Sequence, residues 1–431
     1  MGPGEGDLGL SALSARDAAL RILLEVRRQP PLRIPLDDAL GAVLAEDVVS
    51  PIDIPAWTNS AMDGYAARGD DVRGASDSRP VRLRVIETLP AGQFPSRPIG
   101  PGTCARIFTG APLPEGADSV IRQEDTDQGA ETVTITRDRD IGVNIRRVGE
   151  DIRRGTTVLQ AGMELGPAHL GVLASLAVSH PVIFRRPRVA IMGSGDEIVD
   201  IDQPDEILSG RKIASSNTHT LVALVRQAGG EPVNLGIARD TPASLREHLQ
   251  RALENDLIVT TAGISVGEHD YVRQVMSELG AELRFWKLRM RPGAPVGFGL
   301  AGGVPWIGLP GNPVSTMVTF ELFVRPAIRR MSGRGLPFRH AVPVRTAEPI
   351  RLGPKLQHFL RAVVSEEAGG PGGDGTREVR LTGPQGSGIL TSMVKANALL
   401  IIPEGQHETP AGSAARAILL DDPVHQAEPP F

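Results

Sequence analysis

Between residues 187 and 332 short apolar runs alternate with amphipathic ones, and this alternation constrains the fold more than any other feature of the chain. RVAIMG reads as a strand ending in glycine, and NTHTLVALVRQAGG as a helix capped by Asn217 and stopped by glycine. EPVNLGIA is a strand, TPASLREHLQRALEN a helix and DLIVTTAG a strongly apolar strand. EHDYVRQVMSELG is a helix, ELRFWKLRM, VGFGL and VPWIGLPG are strands, and NPVSTMVTFELFVRPAIRRMSG is a long closing helix. Strands that are apolar along their whole length need both faces covered, so the pattern predicts a mostly parallel sheet between two layers of helices. Ligands of such sheets bind beyond the carboxyl ends of the strands.

The flanking regions differ. ARDAALRILLEVRRQ (15–29) and residues 36–49 carry apolar residues at helical spacing, which then breaks at Pro51 and Pro55. VRLRVIETL, ARIFTG, DSVIRQE and ETVTITR predict strands from about 80 to 137, and PAHLGVLASLAV a helix started by Pro167. The expected organisation is multidomain α/β plus β. A helical linking domain (15–52 and 148–185) is interrupted by a β-rich inserted domain (53–147), followed by the three-layer α/β domain (186–335) and a C-terminal β domain (336–431). AGGPGGDGT (368–376) has the composition of a flexible hairpin tip.

Composition excludes several function classes. A net charge of −5 gives no global attraction to nucleic acid or to anionic membrane. The lone Cys104 excludes a disulfide framework, a Cys-rich zinc module and an iron–sulfur cluster, and reads as a buried apolar side chain. No apolar run approaches the roughly 18 residues of a membrane span, and the N-terminal residues lack the pattern of a signal peptide, so a cytoplasmic location is expected. Of 46 basic residues only Lys212, Lys287, Lys355 and Lys395 are lysines, which singles out each of them.

The turns that follow the strands are rich in carboxylates: Asp63, Asp151, Glu197, Asp240 and Asp270. Carboxylates on tight turns suit Mg²⁺, which takes oxygen ligands and keeps several waters, although Asp and Glu also favour such turns for local hydrogen-bonding reasons. TTAGISVGEHDY is a glycine-spaced loop between strand and helix whose amides would suit a phosphate, yet it is no Walker A sequence. FWKLRMRPGAP spaces Lys287, Arg289 and Arg291 by two, on one face of an expected strand, as an oxyanion site would require. LPGNPVS places Asn312 or Ser315 near a helix cap. Trp57, Trp286 and Trp306 read as packing residues, with Trp57 in an interrupted loop. These residues alone leave a nucleotide-dependent transferase and a phosphohydrolase equally open.

NSAMDGYA, RIFTGAPLPEGADSVIRQE, NIRRVGEDI, GSGDEI, TTAGISVGEHDYV, FWKLRMRPG, LPGNPVS, HFLR and ANALLIIPEG occur in one order over about residues 17–405. This ordered set resembles the molybdopterin molybdenumtransferase (molybdenum insertase) family, to which the C-terminal part of gephyrin belongs. The resemblance implies a homodimer of four-domain subunits, each with a barrel-like C-terminal domain, and a cleft active site between subunits. It implies Mg²⁺-dependent insertion of molybdate into adenylylated molybdopterin with release of AMP, and transient contact with the molybdopterin adenylyltransferase.

Position by position, it implies catalytic roles for Asp63, Thr109, Asp151, Lys287 and Arg291. Arg146, Gly263, Ser265, Pro310, Pro313, Arg361 and Ser392 would bind the pterin substrate, and Glu197, Asp240 and Asp270 the metal. Where many members read K-P-G-K-P this chain has RPGAP, so Arg291 replaces one lysine and Ala294 removes another cation. The alternatives are a paralogue using tungstate or a modified pterin and a non-catalytic gephyrin-like scaffold.

Overall fold

The computed structural model describes residues 12–262, 271–353, 355–366 and 377–420. Two compact units make up the chain: a larger one from residues 1–45, 162–166 and 181–431, and a smaller one from 46–161 and 167–180.

The larger unit contains the expected parallel sheet. Its strands run in the order Glu231–Ala238, Arg188–Ser194, Leu257–Thr261, Val304–Leu309, Pro295–Ala301, Glu282–Lys287. The first four are parallel, while Pro295–Ala301 runs antiparallel to both of its neighbours. Alternation along the strands divides the core into two layers. Val189, Ile191 and Val259 pack with helices Ser216–Ala228 and 313–331, whereas Ala190, Met192 and Ile258 pack with Pro242–Ala252 and Tyr271–Glu278. The 313–331 helix contains a π-helical stretch, Phe320–Val324, just before Pro326, whose missing N–H cannot continue the α-helical ladder.

Five further strands, Gln357–Glu366, Arg377–Leu381, Ala341–Thr346, Ala414–Leu419 and Ala398–Ile402, close on one another as a barrel. Leu360, Ala362 and Val364 belong to its apolar core. Arg361 alternates with them and lies on the other face of its strand.

The smaller unit is built on a five-stranded sheet in the order Ser119–Arg122, Gly64–Ala67, Thr103–Ile107, Val81–Leu89, Thr132–Ile135. Gly64 admits no side chain, because a Cβ there would lie 2.0 Å from the carbonyl oxygen of Ile121. Cys104 is buried in this sheet, and burial pushes its thiol up to about 12, so it stays protonated and inert.

Three local expectations fail. Residues 36–49 form a single 3₁₀ turn, Leu36–Asp38, and later a two-residue strand, Val48–Val49, not a helix. Gly41 takes φ +71°, and Val43 and Leu44 are buried through bridges to Glu164 and Ile183, so tertiary pairing overrides helical periodicity. The helix read as capped by Asn217 begins at Ser216, with Ser215 at the N-cap. Lys287, Arg289 and Arg291 do not share one strand face. The strand ends at Lys287, and the short strand Met290–Arg291, inside the loop that Leu288 N–H closes onto Ala294 O at 2.8 Å, pairs with Gln357–His358 of a different sheet. The Arg289 guanidinium is taken up by Glu404, at 3.2 Å, and by the carbonyl of Ala12.

Candidate functional site

At the carboxyl ends of the parallel strands lies a cavity of about 460 Å³, ordinary for a small-molecule site. Gly193 and Glu197 border it from one strand end, Thr261 and Ala262 from the next, and Pro310–Pro313 from the third. Ser216 and Asn217 open the Ser216–Ala228 helix at its wall, so the positive end of that helix faces the cavity. A second cavity of about 360 Å³ shares Pro295, Pro310 and Asn312 with the first and reaches Arg291, Ser315, Gln385 and Ser387.

Asn217 was missed as a site residue. Its amide donates to Thr261 Oγ1 at 3.0 Å and to Gly311 O at 2.7 Å, tying two strand ends together across the cavity floor. Ala262 beside it holds φ +71°, a conformation that non-glycine residues adopt at some energetic cost. The Asn after a Ser-Ser pair is a sequence signal, but it points equally to a cap, and only the neighbouring strands give it this second role.

The acidic turns adjoin one another. Asp196 N–H donates to Asp240 Oδ2 at 3.4 Å and Asp240 N–H donates to Asp196 Oδ1 at 3.3 Å, which sets the Glu197 and Asp240 turns side by side. Glu197 is exposed at the cavity rim and curls over Gly195, where a Cβ would meet its carboxylate at 2.8 Å. Among the described residues no three His, Cys, Asp or Glu side chains converge as a metal group. Asp270, Gly263 and Ser265 lie outside the described residues. Two oxygen donors on abutting turns fit a hard cation that retains waters.

Lys287 is exposed at its strand end, in register with Pro295, a residue of both cavity walls. Pro310 and Pro313 line the first cavity and Arg291 the second. The barrel brings Arg361 and Ser392 together: both are buried, and Arg361 Nε donates to Ser392 Oγ at 3.1 Å and Nη2 to Gly386 O at 3.0 Å. No carboxylate pairs with this guanidinium among the described residues, and burial lowers its pKa. Gly386 stands between Gln385 and Ser387 of the second cavity, so this charge sits directly behind the cavity wall.

In the smaller unit, Asp63 accepts hydrogen bonds from Thr109 N–H at 2.8 Å and Thr109 Oγ1 at 2.7 Å. Both bonds, with help from Arg106, hold the Asp63 carboxyl below its ordinary range. The segment carrying Asp63 also pairs with the one carrying Arg146 and Asp151. Asn59 is in register with Arg146, and Asp151 N–H donates to Ile54 O at 3.0 Å. Asp63, Thr109, Arg146 and Asp151 therefore border one strip, 54–63.

Fold and site define a multidomain α/β protein with a strand-end cleft for a small molecule. Three family models match in order: the MoeA N-terminal region (domain I and II) over residues 13–177, a probable molybdopterin binding domain over 190–330, and the MoeA C-terminal region (domain IV) over 343–420. A Nostoc protein named molybdopterin molybdenumtransferase is 37% identical over 392 residues, covering 90% of this chain and 87% of its own. A Mycobacterium tuberculosis protein named molybdopterin molybdenumtransferase 2 is 39% identical over 401 residues, 91% of this chain and 96% of its own. The crystal structure of the molybdopterin biosynthesis moeA protein from Pyrococcus horikoshii OT3 superposes with a TM-score of 0.77 at 29% identity, covering 95% of this chain and 100% of that one. The chain belongs to the molybdopterin molybdenumtransferase family, a transferase family of molybdenum cofactor biosynthesis. Among the described residues no helix is long and apolar enough to cross a membrane.

Proposed function

We propose that this chain inserts molybdenum from molybdate into adenylylated molybdopterin and releases AMP, in a Mg²⁺-dependent reaction. The observation that carries this reading is the strand-end cavity with Glu197 at its rim, continuing toward Arg291 and the wall backed by Arg361. The Ser216 helix N-terminus supplies backbone donors suited to a phosphorylated pterin. Lys287, Arg291 and Arg361, with Ser392 fixing the last, offer positive charge to molybdate or to the terminal pterin phosphate. Asp63 and Asp151, with Thr109 and Arg146 beside them, orient ligand or water.

Glu197 and Asp240, with Asp270, would hold Mg²⁺. When bound, the cation supplies Lewis-acid neutralisation of the charge that grows as the bond to AMP breaks. A homodimer, a cytoplasmic location and transient contact with the adenylyltransferase complete the reading. The acidic turns favour catalysis over a purely scaffolding role.

The test is Glu197→Ala. It should fold and keep its melting temperature within a few degrees, yet lose metal-dependent AMP release across a Mg²⁺ titration. Undiminished release at low Mg²⁺ would remove Glu197 from the metal site.

A further inference from the structure

Only fifteen of the 431 residues are aromatic, and two of them stack on each other in the open. Trp57 is 38% exposed and Phe94 61% exposed, yet their rings lie 5.1 Å apart at 63°, edge to face. Such a pair uses one face of one ring and one edge of the other, leaving flat apolar surface facing water. An aromatic pair exposed beside Val148, itself half exposed, makes an apolar patch of the kind that marks a place where something binds.

Both rings stand on anchored backbone. Leu113 N–H donates to Thr58 O at 2.9 Å and Val148 N–H to Thr58 Oγ1 at 3.4 Å, which fixes the residue following Trp57 from two sides. The Phe94 loop is closed by Gln93 N–H donating to Pro90 O at 3.1 Å and tied down by Ser96, whose hydroxyl donates to Glu87 at 2.8 Å. Ala91 of this loop lies against the Thr109–Gly110 turn, where a Cβ on Gly110 would touch the Ala91 Cβ at 4.0 Å. The pair thus sits beside the strip that carries Asp63 and Thr109. On the strip's other side Arg146 is exposed, in register with Asn59, two residues from Trp57.

Flat apolar rings next to an exposed guanidinium match one ligand chemistry: a planar nitrogen heterocycle that also carries phosphate. The ring stacks on the aromatic pair, and the phosphate is drawn to Arg146. We infer that Trp57 and Phe94 form a stacking platform for the heteroaromatic ring of a phosphorylated ligand. This deepens the proposed function, because its substrate carries two such rings, the adenine of the AMP moiety and the pterin.

The test uses the full chain with AMP, ribose 5-phosphate and neopterin as separate probes, read by equilibrium dialysis and tryptophan emission. Trp306 is buried but Trp286 is half-buried, so the emission change assigned to Trp57 is the part that both Trp57→Leu and Trp57→Phe abolish. A ring-bearing probe should quench the wild-type emission. Its Kd should rise on the order of ten-fold in both Trp57→Leu and Phe94→Ala and recover to within about three-fold in Trp57→Phe. Ribose 5-phosphate should bind equally to all variants. A response to AMP alone assigns adenine, and one to neopterin alone assigns the pterin. Phe94→Ala keeps the test open should Trp57→Leu fail to fold. If neither ring probe binds more weakly in either variant, the platform does not exist, whatever the turnover. If the wild-type protein releases no AMP from adenylylated molybdopterin but the ring probes still discriminate, the function falls and the platform stands.

Discussion

Two nearly buried guanidiniums in the larger unit separate structural charge from functional charge. Arg334 donates through Nε and Nη2 to both oxygens of Glu164, at 2.9 and 2.8 Å, and to Gly41 O at 2.7 Å. Its charge is answered within the chain, joining residues far apart in sequence. Arg361 is buried more deeply, yet its side chain donates to a serine hydroxyl and a backbone carbonyl, with no carboxylate among the described residues. A guanidinium held by neutral acceptors keeps its full positive charge in a place where water cannot screen it. It is costly for the empty protein and becomes favourable when an anion docks nearby. Arg334 therefore belongs to the architecture, and under the proposed function Arg361, behind the second cavity, serves the ligand.

That contrast can be broken by substitution, and the effects should fall in a definite order. Arg361→Leu should cut turnover by about a hundredfold, on the order of 3 kcal/mol of transition-state stabilisation, and leave the melting temperature unchanged or higher because an uncompensated buried charge is removed. A collapse in stability with normal kinetics in the surviving protein would reverse its assignment. Arg334→Leu should show the opposite pattern. Half-exposed Glu164 loses its bidentate partner and keeps only Arg329 at 3.9 Å, so denaturant unfolding should register a loss of about 2 kcal/mol, with turnover per folded molecule preserved.

Lys287→Arg comes next, with an expected several-fold fall in turnover and no change in unfolding. It preserves charge but replaces a compact ammonium at the exposed strand end by a wider planar group. Equal rates would return Lys287 to the solvated surface.

The smallest effect is a pH slope. The Arg334 hydrogen bonds lower the Glu164 pKa, with burial opposing. A carboxyl whose folded pKa is depressed contributes stability that is fully present above its unfolded value, near 4.3, and is lost as pH falls through the folded value. Glu164→Gln should therefore flatten the decline in melting temperature in acid and change little near neutrality. Parallel acid profiles for the two proteins would count against the pairing.

Much of the fold is legible in the chain, because its signals are local. Thr241 caps its helix by accepting from Ser244 N–H, and Gly229 ends another at φ +93°, both as their residue types announce. The strand Leu257–Thr261, which opens on the apolar run Leu-Ile-Val, is buried along its whole length, and a parallel sheet follows from it. The failures share one physical origin. Residues 36–49 carry helical spacing but are claimed by partners more than a hundred positions away, Glu164 and Ile183. Arg289 looks like a member of a cationic stripe until Glu404 takes it.

The candidate site divides in the same way. Glu197 and Pro310 stand on turns whose sequence already marks them as strand ends, Pro313 opens the helix that follows, and all three border the first cavity. The bond of Arg361 to Ser392 spans 31 positions and exists only because the barrel closes. The Asn217 bridge to Thr261 and Gly311 likewise needs strands that are adjacent in space and distant in sequence. A propensity cannot encode such pairs, since each member is an ordinary residue alone.

The most direct measurement is AMP formed per molecule of cofactor when the purified protein is given adenylylated molybdopterin with molybdate and Mg²⁺. The account predicts one AMP for each molybdenum inserted, and loss of both products when Mg²⁺ is chelated. AMP release that continues undiminished in chelator, or cofactor formed without AMP, would contradict it.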